Sequence, residues 1–520
     1  MTRRAVARAA LGMAGATAVS RAFGFARVLV VAAVLGTTFL GNTFQASNSV
    51  SNVLFELLAA GALSAVLVPT FVTLLEAGED VEADRLASGL LGLVLVVLGP
   101  VVLAGMLASP LLARLLSAGA PNAGVATQQR DLATFLLLFF IPQVLLYAFG
   151  AVATALLYAR RRFAVTAAAP IGNTVVMIGC LVAFRIVAGD APAFHLSTAE
   201  KLLLATAGTG GVIAFVGVLV VAARNAGFSL RPRLLPGHAA LRNLARHAAW
   251  GVLLHANAGL LLGAAIVAGN GVAGGVVAYQ VAFVFFLAPY AVFAQPVHTA
   301  ILPELANEAA AHDVDAFAGS VGWAIDRMAV LVVPVAAALV ALAVPIMRVV
   351  AFGRAARTGP PLLAAALASL AVGLLPYAAL LLFARAFYAL GDSRTPAIVA
   401  TASAVVGVAT MATLTPVTHG TARVAMLGVG HTVAYSVGAV ILGALLVRRL
   451  ERPLVPRLTA VACACAVPIA VAAWVAMGRI DPAGRLATAA VLVLLVVFGA
   501  GAYALAIRRW RPAVGPLVQA

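Results

Sequence analysis

Long apolar runs of helical length, separated by short turns rich in glycine, proline and charge, repeat along this chain. A run of about 20 apolar residues crosses the hydrocarbon of a bilayer as a helix. Run length and turn residues predict about fourteen such spans, at approximately 6–35, 46–75, 88–117, 132–158, 164–188, 202–223, 246–269, 274–303, 319–347, 359–390, 396–416, 424–447, 457–478 and 486–507. The predicted fold class is all-α, a polytopic membrane protein. The first run is unusual in carrying Arg21 and Arg27 in its interior. An arginine in hydrocarbon is costly enough that it normally faces a bundle interior or a wet cavity.

Composition agrees with this pattern and narrows the function. The chain is 63% hydrophobic and 10% charged, with mean hydropathy +1.08, and no interruption has room for a soluble catalytic domain, so we expect no enzyme activity and assign no catalytic residue. A net charge of +17 would suit nucleic acid, but the cations cluster in short connections beside apolar helices, where they act as topology signals and phospholipid contacts. Nucleic-acid binding is therefore not expected. Cys180, Cys463 and Cys465 all fall within predicted spans, and neighbours two apart on a helix point in different directions, so neither a disulfide framework nor a metal site is expected, and no cofactor. The basic start, Arg3, Arg4 and Arg8, leads into a run too long for a cleaved signal sequence. With the N-terminus inside, roughly 20 cations fall in cytoplasmic segments and about 10 outside, which predicts a multi-pass cell-membrane protein with both termini cytoplasmic. Arg348, Arg354 and Arg357 run against that rule.

A faint repeat divides the chain. Leu67-Val68-Pro69 corresponds to Ile301-Leu302-Pro303, and Leu156-Leu157-Tyr158-Ala159 to Ala386-Phe387-Tyr388-Ala389. Both offsets are about 230 residues, as two parallel six-helix halves would give. The expected organisation is an N-terminal lobe at 1–225, a C-terminal lobe at 240–450 and two additional helices at 453–520. A substrate path between such lobes is the usual consequence.

Candidate chemistry concentrates in the first lobe. Asn48, Asn52 and Glu56 recur at i, i+4 and so form one stripe of a helix. Ser20, Gly24 and Arg27 share a face within about 40°, whereas Arg21 lies roughly 100° from Ser20. A buried Glu56 needs a cation, and Arg21 and Arg27 are the nearest available. One arginine would then bind substrate and the other serve structure. The alternative is a purely stabilising network of Arg21, Arg27 and Glu56.

The motif Ser20-Arg21-x-x-Gly24-Phe25-x-Arg27, followed by Asn52-x-x-x-Glu56-Leu57-Leu58-x-x-Gly61-Ala62-Leu63-Ser64-x-x-Leu67-Val68-Pro69, resembles the MurJ/MviN family. These are the lipid II flippases of the multidrug/oligosaccharidyl-lipid/polysaccharide exporter superfamily. Pro289 through Ile301-Leu302-Pro303, and Arg385-Ala386-Phe387-Tyr388-Ala389-Leu390-Gly391-Asp392-Ser393-Arg394-Thr395-Pro396, fit the same pattern. Nearly all-arginine basic usage and the Glu56-Leu57-Leu58 variant resemble an actinobacterial branch. The resemblance implies an alternating-access transporter that carries undecaprenyl-pyrophosphate-linked muropeptide, lipid II, to the outer leaflet for cell-wall synthesis. Its partners would be lipid II, membrane lipids and the cell-wall synthesis machinery. An arginine fork matches phosphate oxygens two at a time, and spans 13 and 14 offer an apolar groove for the polyprenyl tail.

The chain departs from the family where relatives carry further cavity arginines. Here Phe55 and Glu56 stand in span 2, Val284 in span 8, and Asn42 at the usual acidic position. Replacement contacts could come from Asn42, His255, Asn257, Gln280, Gln295 or His298, each of which also fits an interhelical hydrogen bond. No Asp or Glu occurs between Glu200 and Glu304 or between Asp392 and Glu451, which argues against a carboxylate-rich sodium site and for drive by membrane potential. Asp326 with Arg327, and Arg385 with Asp392, read as structural pairs or snorkelling residues. Export of another polyprenyl-linked glycan and a non-transporting scaffold role stay open. The orientation is checked by labelling single cysteines in intact cells: positions Asn122 and Ala193 should react from outside, and Arg161 and Gly237 should not.

Overall fold

The computed structural model describes residues 3–55, 61–189, 195–234, 257–454 and 456–509. The described residues form helices and no strand. Among the described residues, eleven helices are long and apolar enough to cross a membrane, or twelve if one bent pair is a single span. The all-α polytopic class is thus observed. The expected fourteen is not tested to the last span, since 46–75 and 246–269 both run into residues outside those described and show there the shorter apolar helices Leu67–Glu76 and Asn257–Gly269.

The chain forms two compact units, Met1–Gly259 and Leu260–Ala520. The first contains α1 (Arg3–Leu35), α2 (Phe39–Phe55), α3 (Gly61–Glu76), α4 (Asp80–Leu107), α5 (Ser109–Leu116), α6 (Ala123–Phe140), α7 (Gln143–Ala159), α8 (Phe163–Ala168), α9 (Pro170–Ala188) and α10 (Thr198–Arg224). A short helix, α11 (Asn257–Gly269), begins at the boundary. The second continues with α12 (Gly275–Pro289), a π-helical turn (Tyr290–Ala294), α13 (Gln295–Ala310), α14 (Val314–Ala341), α15 (Ala343–Val350) and α16 (Ala355–Ala371). It ends with α17 (Leu374–Ala389), α18 (Arg394–Leu414), α19 (Gly420–Leu450), α20 (Leu458–Ile480) and α21 (Arg485–Arg508).

Several predicted spans prove to be interrupted. The run 88–117 breaks at Ala108, where Pro110 opens α5; a proline near a helix start gives up only a donor that is unpaired there anyway. The run 274–303 passes through Pro289 and the π turn, and 359–390 bends by 42° between α16 and α17. At that bend Gly373 N–H donates to the Leu370 carbonyl at 2.9 Å. The Ser369 carbonyl, released from its α-helical partner, accepts instead from Thr432 Oγ1 of α19 at 2.8 Å. A Cβ on Gly373 would come within 2.7 Å of that hydroxyl, so the close approach requires glycine. Freed backbone groups at membrane depth need such substitutes because lipid supplies none.

Two apolar clusters hold the first unit. One joins Val31 and Leu35 of α1, Leu40 and Phe44 of α2, Leu136 and Phe140 of α6, and Leu181 of α9. The other joins Phe71 of α3, Leu90 of α4, Leu156 of α7 and Leu219 of α10. The start of the basic connection packs along α4: Ser229 N–H and Oγ donate to Asp84 at 2.7 and 2.5 Å, and Arg233 N–H donates to the Ser88 carbonyl at 2.9 Å. In the second unit, α20 and α21 pack on α14 through Ala329, Val333, Ala462, Ala466 and Tyr503, and Tyr503 donates to the Val330 carbonyl at 3.0 Å.

The repeat positions occupy matching local structure. Pro69 lies inside α3 and Pro303 inside α13. Tyr158 and Tyr388 each stand one residue before a helix end, and both are exposed. The segment after Tyr388 is a cap. Asp392 accepts from the backbone N–H groups of Arg394 and Thr395, each at 3.0 Å, and from Thr395 Oγ1 at 2.8 Å. It also pairs with Arg449 at 2.8 Å, which corrects the expected pairing with Arg385: the turn aims the carboxylate at α18 and α19 rather than back along α17. Asp326 likewise caps α20, accepting from Arg457 and Leu458 N–H at 3.0 and 2.8 Å, while Arg327 lies over the Trp323 ring.

The Thr395 backbone N–H, with the Thr395 hydroxyl, the Arg394 N–H and Arg449, holds the Asp392 carboxyl below the usual carboxylate range. A depressed acid stabilises the fold at pH values above the ordinary carboxylate pKa, and the contribution disappears as pH falls through the lower folded-state value. Asp392→Ala should therefore cost about 1 kcal/mol near neutrality and progressively less in acid. Thermal unfolding in detergent at several pH values measures this.

Candidate functional site

In the first unit a layer of polar side chains crosses α2, α7 and α10 between the two apolar clusters. Ser51 Oγ of α2 donates to Gln143 Oε1 of α7 at 2.9 Å, and Gln143 Nε2 donates to Thr209 Oγ1 of α10 at 3.0 Å. Thr209 Oγ1 in turn donates to the Phe139 carbonyl at 2.7 Å. On α2, Phe44 of one cluster precedes Ser51; on α7, Gln143 precedes Leu156 of the other; on α10, Thr209 falls between Leu204 and Leu219. The same order on three helices puts the layer at mid-depth of the bundle.

One turn beyond Gln143, Tyr147 lies on the margin of this layer. Its hydroxyl donates to Asn52 Oδ1 at 3.1 Å, and the Arg27 guanidinium of α1 lies within electrostatic reach of it. Arg27, Asn52 and Tyr147 thus bring together α1, α2 and α7. A guanidinium offers donors only, and Asn52 is exposed, so the group combines a cation with an accessible amide. Sequence reasoning named Arg27 and Asn52 but missed Gln143 and Tyr147. Their i, i+4 spacing in an otherwise apolar run was the available signal.

The remaining expected residues distribute as follows. Ser20 and Gly24 are half-buried beside Arg27 on α1, whereas Arg21 is exposed, consistent with its different face. No atom lies within 4 Å of a Cβ built on Gly24. Asn48 is half-buried one turn from Asn52. Asn42 is fully buried on α2. Asn257 is buried with its Nδ2 unpartnered. Gln280 and Gln295 are half-buried in the second unit, and His298 is fully buried against Tyr290. Glu56 and His255 lie outside the described residues.

The second unit also contains an apolar groove of about 1310 Å³, lined by Val333 and Val340 of α14, Ala364 of α16, and Val467, Val471 and Trp474 of α20, with Arg348 and Asp481 among its polar lining. His431 is a satisfied core histidine: Nε2 meets Tyr279 Oη at 3.0 Å, and Nδ1 the Leu427 carbonyl at 2.9 Å.

Residues 31–497 match the family model described as lipid II flippase MurJ, which covers both units. The chain belongs to the MurJ family. Among curated relatives, a probable lipid II flippase MurJ of Rhizobium tropici is 31% identical over 388 residues, 74% of this chain and 70% of that protein. One of Rhizobium meliloti (strain 1021) is 28% identical over 519 residues, 95% and 94% of the two chains. The fold resembles a solved lipid II flippase MurJ in its inward closed conformation, with TM-score 0.73, 15% identity, and coverage of 96% of this chain and 99% of that one. A multidrug resistance MATE family transporter of the MOP superfamily, solved inward-facing, aligns with TM-score 0.65, 15% identity and coverage of 83% and 94%.

The hydrogen bond between Tyr147 and Asn52 should be measurable. A double-mutant cycle of Tyr147→Phe with Asn52→Ala, read by unfolding in detergent, should give a coupling of about 0.6 kcal/mol, typical of such bonds between membrane helices. Strict additivity would mean the two side chains act independently.

Proposed function

We propose that the protein flips lipid II from the inner to the outer leaflet of the cytoplasmic membrane by alternating access, supplying cell-wall synthesis. The observation that carries this reading is Arg27 at mid-depth of the first unit, beside Tyr147 and Asn52. In that setting the guanidinium fork would grip the pyrophosphate through paired N–H donors. Asn52 and Asn48 would bind neutral oxygens of the sugar or peptide, and Ser20 and Gly24 would leave room along the same face. Arg21, being exposed, would meet the headgroup earlier on its path. Glu56 would neutralise an arginine until pyrophosphate arrives. No bond is made or broken; the work is transfer of a large polar headgroup past hydrocarbon.

The apolar groove of the second unit fits the polyprenyl tail, which would stay in lipid-like surroundings while the headgroup moves. We further propose the division into an N-terminal lobe at 1–225, a C-terminal lobe at 240–450 and two added helices at 453–520, with both termini cytoplasmic. The resting potential would act on the charged substrate, worth about 2.3 kcal/mol per charge per 100 mV. Contacts with cell-wall synthases would be made in the membrane.

Complementation of a strain depleted of its own lipid II flippase, with leaflet-specific detection of lipid II, tests this reading; no rescue by well-expressed protein would refute it. Arg27→Lys should lower flipping by about tenfold or more, because lysine keeps the charge but loses the planar fork. Full rescue by the lysine variant would show that charge alone suffices. Glu56→Gln should fold, bind lipid II equally or more tightly, and flip slowly if carboxylate and pyrophosphate compete for one guanidinium. Weaker binding by folded Glu56→Gln protein would exclude that competition.

A further inference from the structure

The second unit holds an arginine that the reading above does not use. Arg385 lies on α17 four residues before its end at Ala389, about 6 Å inside the helix terminus at 1.5 Å per residue. Its sequence neighbour Asp392 is engaged by Arg449, and Arg385 has no ion pair among the described residues. Nη1 is buried without a hydrogen-bond partner. A guanidinium left in this state within a membrane bundle is costly.

Among the described residues its recorded neighbours are hydrogen-bonding groups rather than carboxylates. The Tyr290 hydroxyl lies within hydrogen-bonding reach of Arg385, and His298 and the exposed Tyr388 within electrostatic reach. Tyr290 Oη and His298 Nδ1 are 3.2 Å apart. Arginine can only donate. Tyr290 therefore accepts from Arg385 and passes its own proton toward Nδ1, which leaves Nε2 of a neutral imidazole as a donor. Nε2 makes no well-formed hydrogen bond among the described residues, although the Ala378 backbone lies within reach of the ring, and the side chain has no solvent exposure. Tyr290 itself opens the π-helical turn Tyr290–Ala294, a distortion found frequently at functional sites. The cluster thus combines a fixed cation with unused N–H donors and offers no negative charge of its own.

We propose that Arg385, Tyr290 and His298 form a binding site for a phosphate-type oxyanion in the second unit. The guanidinium fork supplies the charge and the bidentate contact, Tyr290 holds it in place, and the anion supplies the missing counter-charge. The site lies one turn inside a helix end, so the anion can come from a membrane phospholipid or from a phosphate free in solution. The site does not depend on what the first unit carries.

The full-length protein, labelled with 15N-histidine in a zwitterionic detergent, gives a local readout, with the His298 resonance identified by its loss in His298→Gln. Inorganic pyrophosphate should shift that resonance saturably, and Arg385→Gln should weaken the response by about tenfold or more. If Arg385→Gln fails to fold, Arg385→Lys takes its place, with a response at least about threefold weaker expected. In nanodiscs, phosphatidylglycerol replacing phosphatidylcholine should shift the same resonance and block pyrophosphate if the anion is a lipid phosphate. It should do neither if the site serves a soluble phosphate. A His298 resonance indifferent to both probes, or a response unchanged in the Arg385 variant, would overturn the proposal.

Discussion

A hydrocarbon environment satisfies no hydrogen bond, and that constraint organises this protein at every level. Backbone groups are closed inside helices wherever the chain crosses lipid depth. Where a helix breaks, as between α16 and α17, a side chain from a neighbouring helix replaces the lost partner: Thr432 takes over the Ser369 carbonyl. Ser51 of α2 obeys the same rule. Ser51, Gln143 and Thr209 complete one another and end on a backbone carbonyl, so the helices can carry polarity at mid-depth without a large desolvation cost.

This satisfied layer also positions the candidate site. Gln143 fixes α7 against α2 and α10, and Tyr147, one turn farther on, is thereby presented to Asn52 and Arg27. The apolar clusters on either side, one around Phe44 and Phe140 and the other around Phe71 and Leu156, hold the three helices in register. Arg27 is thus placed by packing that it does not itself supply.

The second unit treats charge differently. Asp392, in the turn between α17 and α18, caps α18, and Asp326, midway along α14, caps α20, so both serve fold stability. The histidines divide in the same way: His431 is enclosed and has both ring nitrogens satisfied, while Nε2 of His298 makes no well-formed hydrogen bond among the described residues. Similar residue types in one unit therefore separate into structural and available groups by whether the last hydrogen bond is made.

Hydropathy along the sequence determined the all-α membrane class, because a run of apolar residues can be accommodated in few other ways. The motifs around Arg21, Arg27 and Asn52 pointed to the family, and helical periodicity placed Arg21 and Arg27 on different faces. Periodicity is local, however, and says nothing about what another helix brings near. Gln143 and Tyr147 became part of the site only through the packing of α7 on α2. The separation of Arg385 from Asp392 followed from the turn that caps α18, and the burial of Asn42 from the contact of α2 with α6 and α7. Interruptions at Ala108, Pro289 and Gly373 likewise needed the fold, since run length fixes how far a helix can reach, while its neighbours decide where it can afford to break.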